Sequence, residues 1–107
     1  MMNYIEELEE HFEKFCDLFF LDKDSFHKKR IDGVVSSYKD LFYYSCSKRF
    51  PIISPENVTK FMFRKNRSEY YKGVSTIDTL ASVFKDEITL KRIKALERNN
   101  LLKKKRK

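Results

Sequence analysis

Apolar side chains recur at helical spacing from near the start of the chain. Ile5, Leu8, Phe12, Phe15 and Phe19 stand three, four, three and four positions apart. That spacing aligns all five along one side of a helix, the seam of a bundle or coiled coil, and predicts a helix over residues 3–21. Glutamates fill its first turns, where the helix dipole favours negative charge. Phe20 and Leu21 extend the apolar end, so this helix is expected to meet more than one neighbour. A second stripe of Phe26, Ile31, Val34, Val35, Tyr38, Leu41 and Phe42 predicts a helix starting at Asp24 or Ser25, both good N-caps. Gly33 lies within that stripe, and an interior glycine costs about 1 kcal/mol relative to alanine. The Asp32-Gly33 pair is therefore a point where the segment can divide in two, and the pattern leaves both readings open.

Two prolines mark Phe50 to Pro55 as a connection. Ser54-Pro55-Glu56 then starts a third helix, with a capping serine, proline at the first helical position and a carboxylate just after. This helix is expected to reach about Tyr71, with Gly73 supplying a left-handed exit. Ser75 and Asp78 form a capping box for a fourth helix that carries Ile77, Leu80, Ala81 and Phe84. Beyond Lys85 the stripe shifts phase to Leu90, Ile93 and Leu96, which places a break near Asp86, although Val83 and Leu90 also fit one uninterrupted helix. Asn99 and Asn100 are suited to ending the last helix. The expected architecture is all-α: a bundle of four to five helices forming one domain over residues 1–100, followed by a flexible, disordered basic tail over 101–107.

Composition agrees with that class. A chain of 107 residues fits one domain, and it contains only two Gly and two Pro, too few for a turn-rich β-sandwich. Its apolar content rests on ten Phe and six Tyr, so the core is built from few but large side chains. Cys16 and Cys46 lack the density of a disulfide framework and suit a reduced, intracellular setting. The first residues are acidic where a secretory signal is basic, and no apolar run approaches about 18 residues, so neither export nor membrane insertion is expected. Without a secretory route, the glycosylation-type triplets at Asn57 and Asn66 carry no weight.

Charge changes the picture most. Residues 1–24 hold eight carboxylates against Lys14 and Lys23, net −6, whereas the other 83 residues hold 21 basic and eight acidic side chains, net +13. A chain so polarised points to a polyanionic partner, because each cation set against a phosphate releases a condensed counterion. In the stretch from Lys60 to Lys72, a continuous helix would align Lys60, Arg64 and Arg67 in one stripe, with Lys65 beside them and Phe63 and Tyr70 flanking as rings for base stacking. The last helix repeats the design with Lys91, Lys94 and Arg98. The terminal run Lys103, Lys104, Lys105, Arg106 and Lys107 adds to them. It also looks like a monopartite nuclear import signal, giving a nuclear location if the source is a eukaryote or one of its viruses and a cytoplasmic one otherwise.

Other chemistry finds less support in the residues. Helices from Ser75 to Arg98 loosely resemble a helix-turn-helix, with Leu80-Ala81 where the first helix carries its packing pair. The turn there is Lys85-Asp86 without a glycine, and the apolar spacing after it is one residue short. His11, Cys16, His27 and Cys46 have no zinc-like spacing, so no metal or other cofactor is expected. No glycine-rich elbow, phosphate loop or kinase-like signature accompanies the serines and histidines, which argues against an enzyme. The functional expectation is a non-enzymatic nucleic-acid-binding module. An alternative is an assembly subunit of a nucleoprotein complex, dimeric or partner-bound through Ile5, Leu8, Phe12, Phe15 and Phe19.

Overall fold

The computed structural model describes residues 4–27, 33–64 and 66–104. Among these are five α-helices, one 3-10 helix and no strand. The helices are α1 (Tyr4–Phe19), α2 (Gly33–Arg49), α3 (Pro55–Phe61), α4 (Ser68–Ser82) and α5 (Glu87–Arg98), with the 3-10 helix (Lys23–His27) between α1 and α2. The chain is thus all-helical, as its apolar spacing requires. No helix among the described residues is long and apolar enough to cross a membrane.

Helix α2 is the centre of the packing. Leu41, Phe42 and Tyr43 are consecutive, and each is 0 % exposed. Successive residues point about 100° apart around a helix, so three buried in a row need neighbours on most of its circumference. On one side lies α1, running antiparallel: His11 meets Ser45, Phe15 meets Phe42, and Phe19 meets Tyr38. The Phe42 ring lies 5.1 Å from Phe12 and 5.5 Å from Phe15, both near edge-to-face, and 6.3 Å from Phe61. Phe12 in turn meets Phe26 of the 3-10 helix at 5.3 Å. One aromatic group therefore ties α1, α2, α3 and the 3-10 helix together. Leu8, Phe12 and Phe15 of the expected dimer seam are consumed in this core, and Phe19 is half-buried on Tyr38. Ile5 alone of that stripe stays exposed, so the seam is the inward face of a bundle helix and not a docking stripe.

On another side α2 meets α4, most closely at Gly73. A Cβ at Gly73 would sit 2.9 Å from Tyr43 Cδ2, closer than real Cβ contacts come, and 3.2 Å from the Asp40 Cα, tighter than most of them. Gly73 is consequently not a left-handed exit. It lies inside α4 with ordinary helical backbone, because the facing helix leaves no room for a side chain.

Helix boundaries differ from expectation where chain exits lack glycine. The third helix does not continue to Tyr71 but ends at Phe61, and the fourth begins at Ser68 and runs through Gly73, Ser75 and Asp78. After α3, Phe63 takes φ 56°, its N–H reaches Lys60 O at 3.0 Å, and the Arg64 N–H reaches Thr59 O at 2.8 Å. This is the Schellman exit, with phenylalanine in the left-handed position glycine usually fills. Helix α1 ends identically, with Phe20 at φ 56° and Leu21 N–H on Cys16 O. So does α5, with Asn100 at φ 59° and Leu101 N–H on Leu96 O. The division near Gly33 is real at its far side, since α2 starts there and Phe26 belongs to the 3-10 helix. Ile31 lies outside the described residues. The break near Asp86 is as expected: its carboxylate caps α5 by accepting from Thr89 N–H at 2.9 Å.

The packed domain extends past residue 100. Leu101 is fully buried beside Leu96 and Leu102 is half-buried, so the segment expected to be a tail from 101 begins as part of the core.

Two substitutions test this packing through urea unfolding midpoints. Gly73→Val is expected to destabilise by about 1–3 kcal/mol through overpacking against Tyr43, whereas Gly33→Ala, which meets nothing within 4 Å, is expected to be neutral or slightly stabilising. Phe20→Gly is expected to stabilise by about 0.5–1 kcal/mol, because the side chain lost is 95 % exposed and the left-handed penalty is relieved.

Candidate nucleic-acid interface

The first expected basic stripe is not formed. Lys60 ends α3, Arg64 lies in the turn after it, and Arg67 precedes α4, so no single helix aligns them. Lys65 lies outside the described residues. Lys60 and Arg67 are exposed, but the Arg64 side chain is only 17 % exposed. Its Nη2 donates to Phe26 O at 3.2 Å, and its Nε lies 4.0 Å from Glu69 Oε2. The other oxygen of Glu69 accepts from the buried Lys39 ammonium at 2.9 Å. Arg64 therefore belongs to a charged pin between α2, α4 and the 3-10 helix. Half-buried Asp40 follows Lys39 in sequence, and desolvation raises its carboxyl above the usual range; Lys39 opposes the rise and Glu69 reinforces it. Tyr70 is 7 % exposed and packs 5.7 Å from the Tyr43 ring, so it is core and not a stacking platform. Burial pushes its phenol up to about 12. Phe63 does remain on the surface.

The second expected site survives and grows. Lys91, Lys94 and Arg98 are exposed along one side of α5, while Thr89 and Leu96 point inward. Arg92 belongs to the packing: its guanidinium lies 4.0 Å over the Tyr38 ring and donates to Ser37 Oγ at 3.2 Å. Further along, Arg49 Nη1 donates to the Asn100 carbonyl at 2.6 Å. These two contacts run α5 along α2 in the same sense and bring their carboxy-terminal turns together. The end of α2 with Lys48 and Arg49 therefore lies against the end of α5 that carries Arg98, and Lys103 and Lys104 follow a few residues later in the chain. Lys105, Arg106 and Lys107 lie outside the described residues.

Sequence reasoning missed Lys48 and Arg49. The available signal was two adjacent cations at the end of a helix, but only the tertiary fold shows that this end meets α5. Partial negative charge at two helix carboxyl ends favours cations here. Glu97 is the nearby acid, close enough to raise the Tyr44 phenol together with burial and Asp78. None of Lys48, Arg49, Arg98, Lys103 or Lys104 forms an ion pair among the described residues. The acidic half of α1 points toward the same end of the molecule, with Glu10 paired to Lys14 at 3.0 Å.

Remaining polar groups are structural. Ser45 donates its one hydroxyl hydrogen to Phe42 O at 2.7 Å, so His11 donates from Nε2 to Ser45 Oγ at 2.8 Å. In that buried arrangement the serine's hydrogen is directed to a backbone carbonyl and not to the imidazole. Among the described residues no three His, Cys, Asp or Glu side chains converge as metal ligands. One feature the sequence did not announce is an open groove of about 570 Å³ where the first half of α1, the 3-10 helix and α3 meet. Comparison of the chain with protein-family models, curated proteins and solved structures finds no match.

Both thiols are buried and free, and burial raises the Cys16 thiol to about 12, with nearby Lys23 opposing; Cys46 is raised by the same cause. A group so raised is thiolate to only about one part in 10⁴ at pH 8. Disulfide-reagent titration at pH 8 should therefore find neither thiol reactive in the native protein and both reactive in denaturant. Fast labelling of a native thiol would show that α1 does not pack on α2 as described.

Proposed function

We propose that this chain is a non-enzymatic nucleic-acid-binding module whose contact surface is the exposed side of α5 and the corner where α2 and α5 end. The observation that carries this reading is the Arg49–Asn100 bond, which sets the basic end of α2 (Lys48, Arg49) against the end of α5 that carries Arg98 and leads to Lys103 and Lys104, none of them in an ion pair among the described residues, with Lys91 and Lys94 exposed further back on α5. Exposed cations held on helix ends suit phosphate oxygens, whose binding is driven by counterion release and carries no base sequence directly. Lys103 and Lys104 add charge beside this surface, and the run from Lys103 to Lys107 serves nuclear import if the source is a eukaryote or one of its viruses.

A second reading, docking into a nucleoprotein assembly, draws on Val83, Phe84 and Ile88. These are large apolar side chains left exposed around the α4–α5 connection. Self-association through the α1 seam is not part of it, because that seam is internal.

A fluorescence-anisotropy titration against duplex DNA, single-stranded DNA and RNA tests the main reading. Engagement of six phosphates on duplex DNA gives a log–log salt slope of about −5. Lys48→Glu, Lys91→Glu and Arg98→Glu should each weaken binding and reduce the magnitude of that slope by about one, while Lys14→Glu on α1 should change it little. Absence of binding at about 50 mM salt, where such contacts are strongest, rejects the function.

A further inference from the structure

We propose that two copies of this chain pair through the apolar end of the bundle, opposite the cationic corner. This takes up the docking reading of the side chains around the α4–α5 connection and names their partner. Helices α2 and α5 run in the same sense and α1 runs against them, so the first turns of α2 and α5 share one end of the molecule with the last turn of α1. The Tyr38 ring joins the three there, with the Phe19 ring at 5.2 Å and the Arg92 guanidinium 4.0 Å above it. Val34 stands four residues before Tyr38, Ile88 four residues before Arg92, and Phe20 directly after Phe19, so each continues past that contact toward the same end. Val83 and Phe84 lie in the connection that leads into α5, just ahead of Ile88. Phe20 is 95 % exposed, and Val34, Val83, Phe84 and Ile88 are each 60–69 % exposed.

The area fits a small dimer. Two phenylalanine side chains at these exposures present on the order of 300 Å², and the three aliphatic ones add about 200 Å². Contact faces are only about 60 % apolar. A face built around about 500 Å² of apolar area therefore spans roughly 800 Å² per copy, the standard size for specific pairing.

Charge selects a second copy as the occupant. The stretches that carry these side chains, residues 20–34 and 83–88, hold five basic and five acidic side chains, net zero in a chain that is net +7. Two copies repel each other at their cationic corners but not here, and a neutral end draws neither a polyanion nor a polycation. Lys85 and Glu87 are both exposed, one on either side of Asp86. A two-fold axis at the connection sets Lys85 of one copy against Glu87 of the other, the self-complementarity that a symmetric pair requires. Phe20 is an independent sign. It holds the left-handed exit of α1 at φ 56°, where glycine is favoured, and the isolated fold buries almost none of its ring. A pair joined in this way carries its cationic corners at the far extremes, so under the proposed function one dimer bridges two nucleic-acid segments.

Sedimentation equilibrium of the full chain tests the pairing. Between about 5 and about 200 µM, a range that reports micromolar association, the mean mass should rise from 13.0 kDa toward twice that value. Phe20→Gly, which suits the backbone, should keep or raise the thermal midpoint while weakening the dimer at least about tenfold. Ile88→Glu adds an acid to the first turn of α5, where the dipole accepts it, and should weaken the dimer by a similar factor without loss of helix content. Lys85→Glu and Glu87→Lys should each weaken it about three- to tenfold, and an equal mixture of those two variants should pair again. A mass of 13.0 kDa throughout, unchanged pairing in Phe20→Gly or Ile88→Glu, or no recovery in the mixture overturns the proposal. A chain that stays single while a different protein seats on Phe20 and Ile88 also overturns it and leaves the docking reading standing. Phosphate binding is read separately, by anisotropy at concentrations too low for pairing.

Discussion

The encirclement of α2 governs this structure. With Leu41, Phe42 and Tyr43 all sealed from water, α2 has little outward face over its middle turns, and every other element takes its place by covering part of it. Phe42 sets the α1 and α3 side through ring contacts, and Tyr43 sets the α4 side, where a helix can approach only over the bare backbone of Gly73. Stacked and edge-on rings at 5–6 Å are directional contacts. This core therefore specifies orientation as well as burial. The charged surface follows from it: cations that cannot enter the core collect at helix ends, where the backbone dipoles accept them.

Much of the fold was legible because helical spacing is a local signal. The α1 stripe, the Ser54-Pro55 start, the break at Asp86 and the stop at Asn99-Asn100 were all readable from neighbours in the chain. What escaped has a common physical origin. Helix exits are usually announced by glycine, but here Phe20, Phe63 and Asn100 occupy the left-handed position, and their backbones are held by paired carbonyl contacts that leave no mark in composition. Gly73 was conspicuous for the opposite reason, since it marks a close approach between helices and not an end. Lys48 and Arg49 escaped because the meeting of two helix ends is a tertiary fact, and the groove escaped because it forms only when three separate segments assemble.

Charge patterning was misleading about place. Arg64 and Lys39 count toward the basic half of the chain, yet both are used internally around Glu69. The net charge of a segment therefore overstates what a ligand meets. Among the cations left to solvent are those of α5 and of the corner where α2 and α5 end.

Arg49 links that corner to the integrity of the chain end. Its guanidinium has five N–H donors; Nη1 is engaged on the Asn100 carbonyl, and the buried Nε has no acceptor among the described residues. A phosphate bound there would not take the donor that clasps Asn100; it would hold the same planar group in the orientation the clasp requires. Under the proposed function, occupancy of the corner would therefore raise order in the segment from Arg98 to Leu102, by the linkage that any ligand preferring one conformation imposes. A lysine in place of Arg49 would keep the charge but lose this coupling, since a single ammonium lacks the rigid fork that serves both neighbours at once.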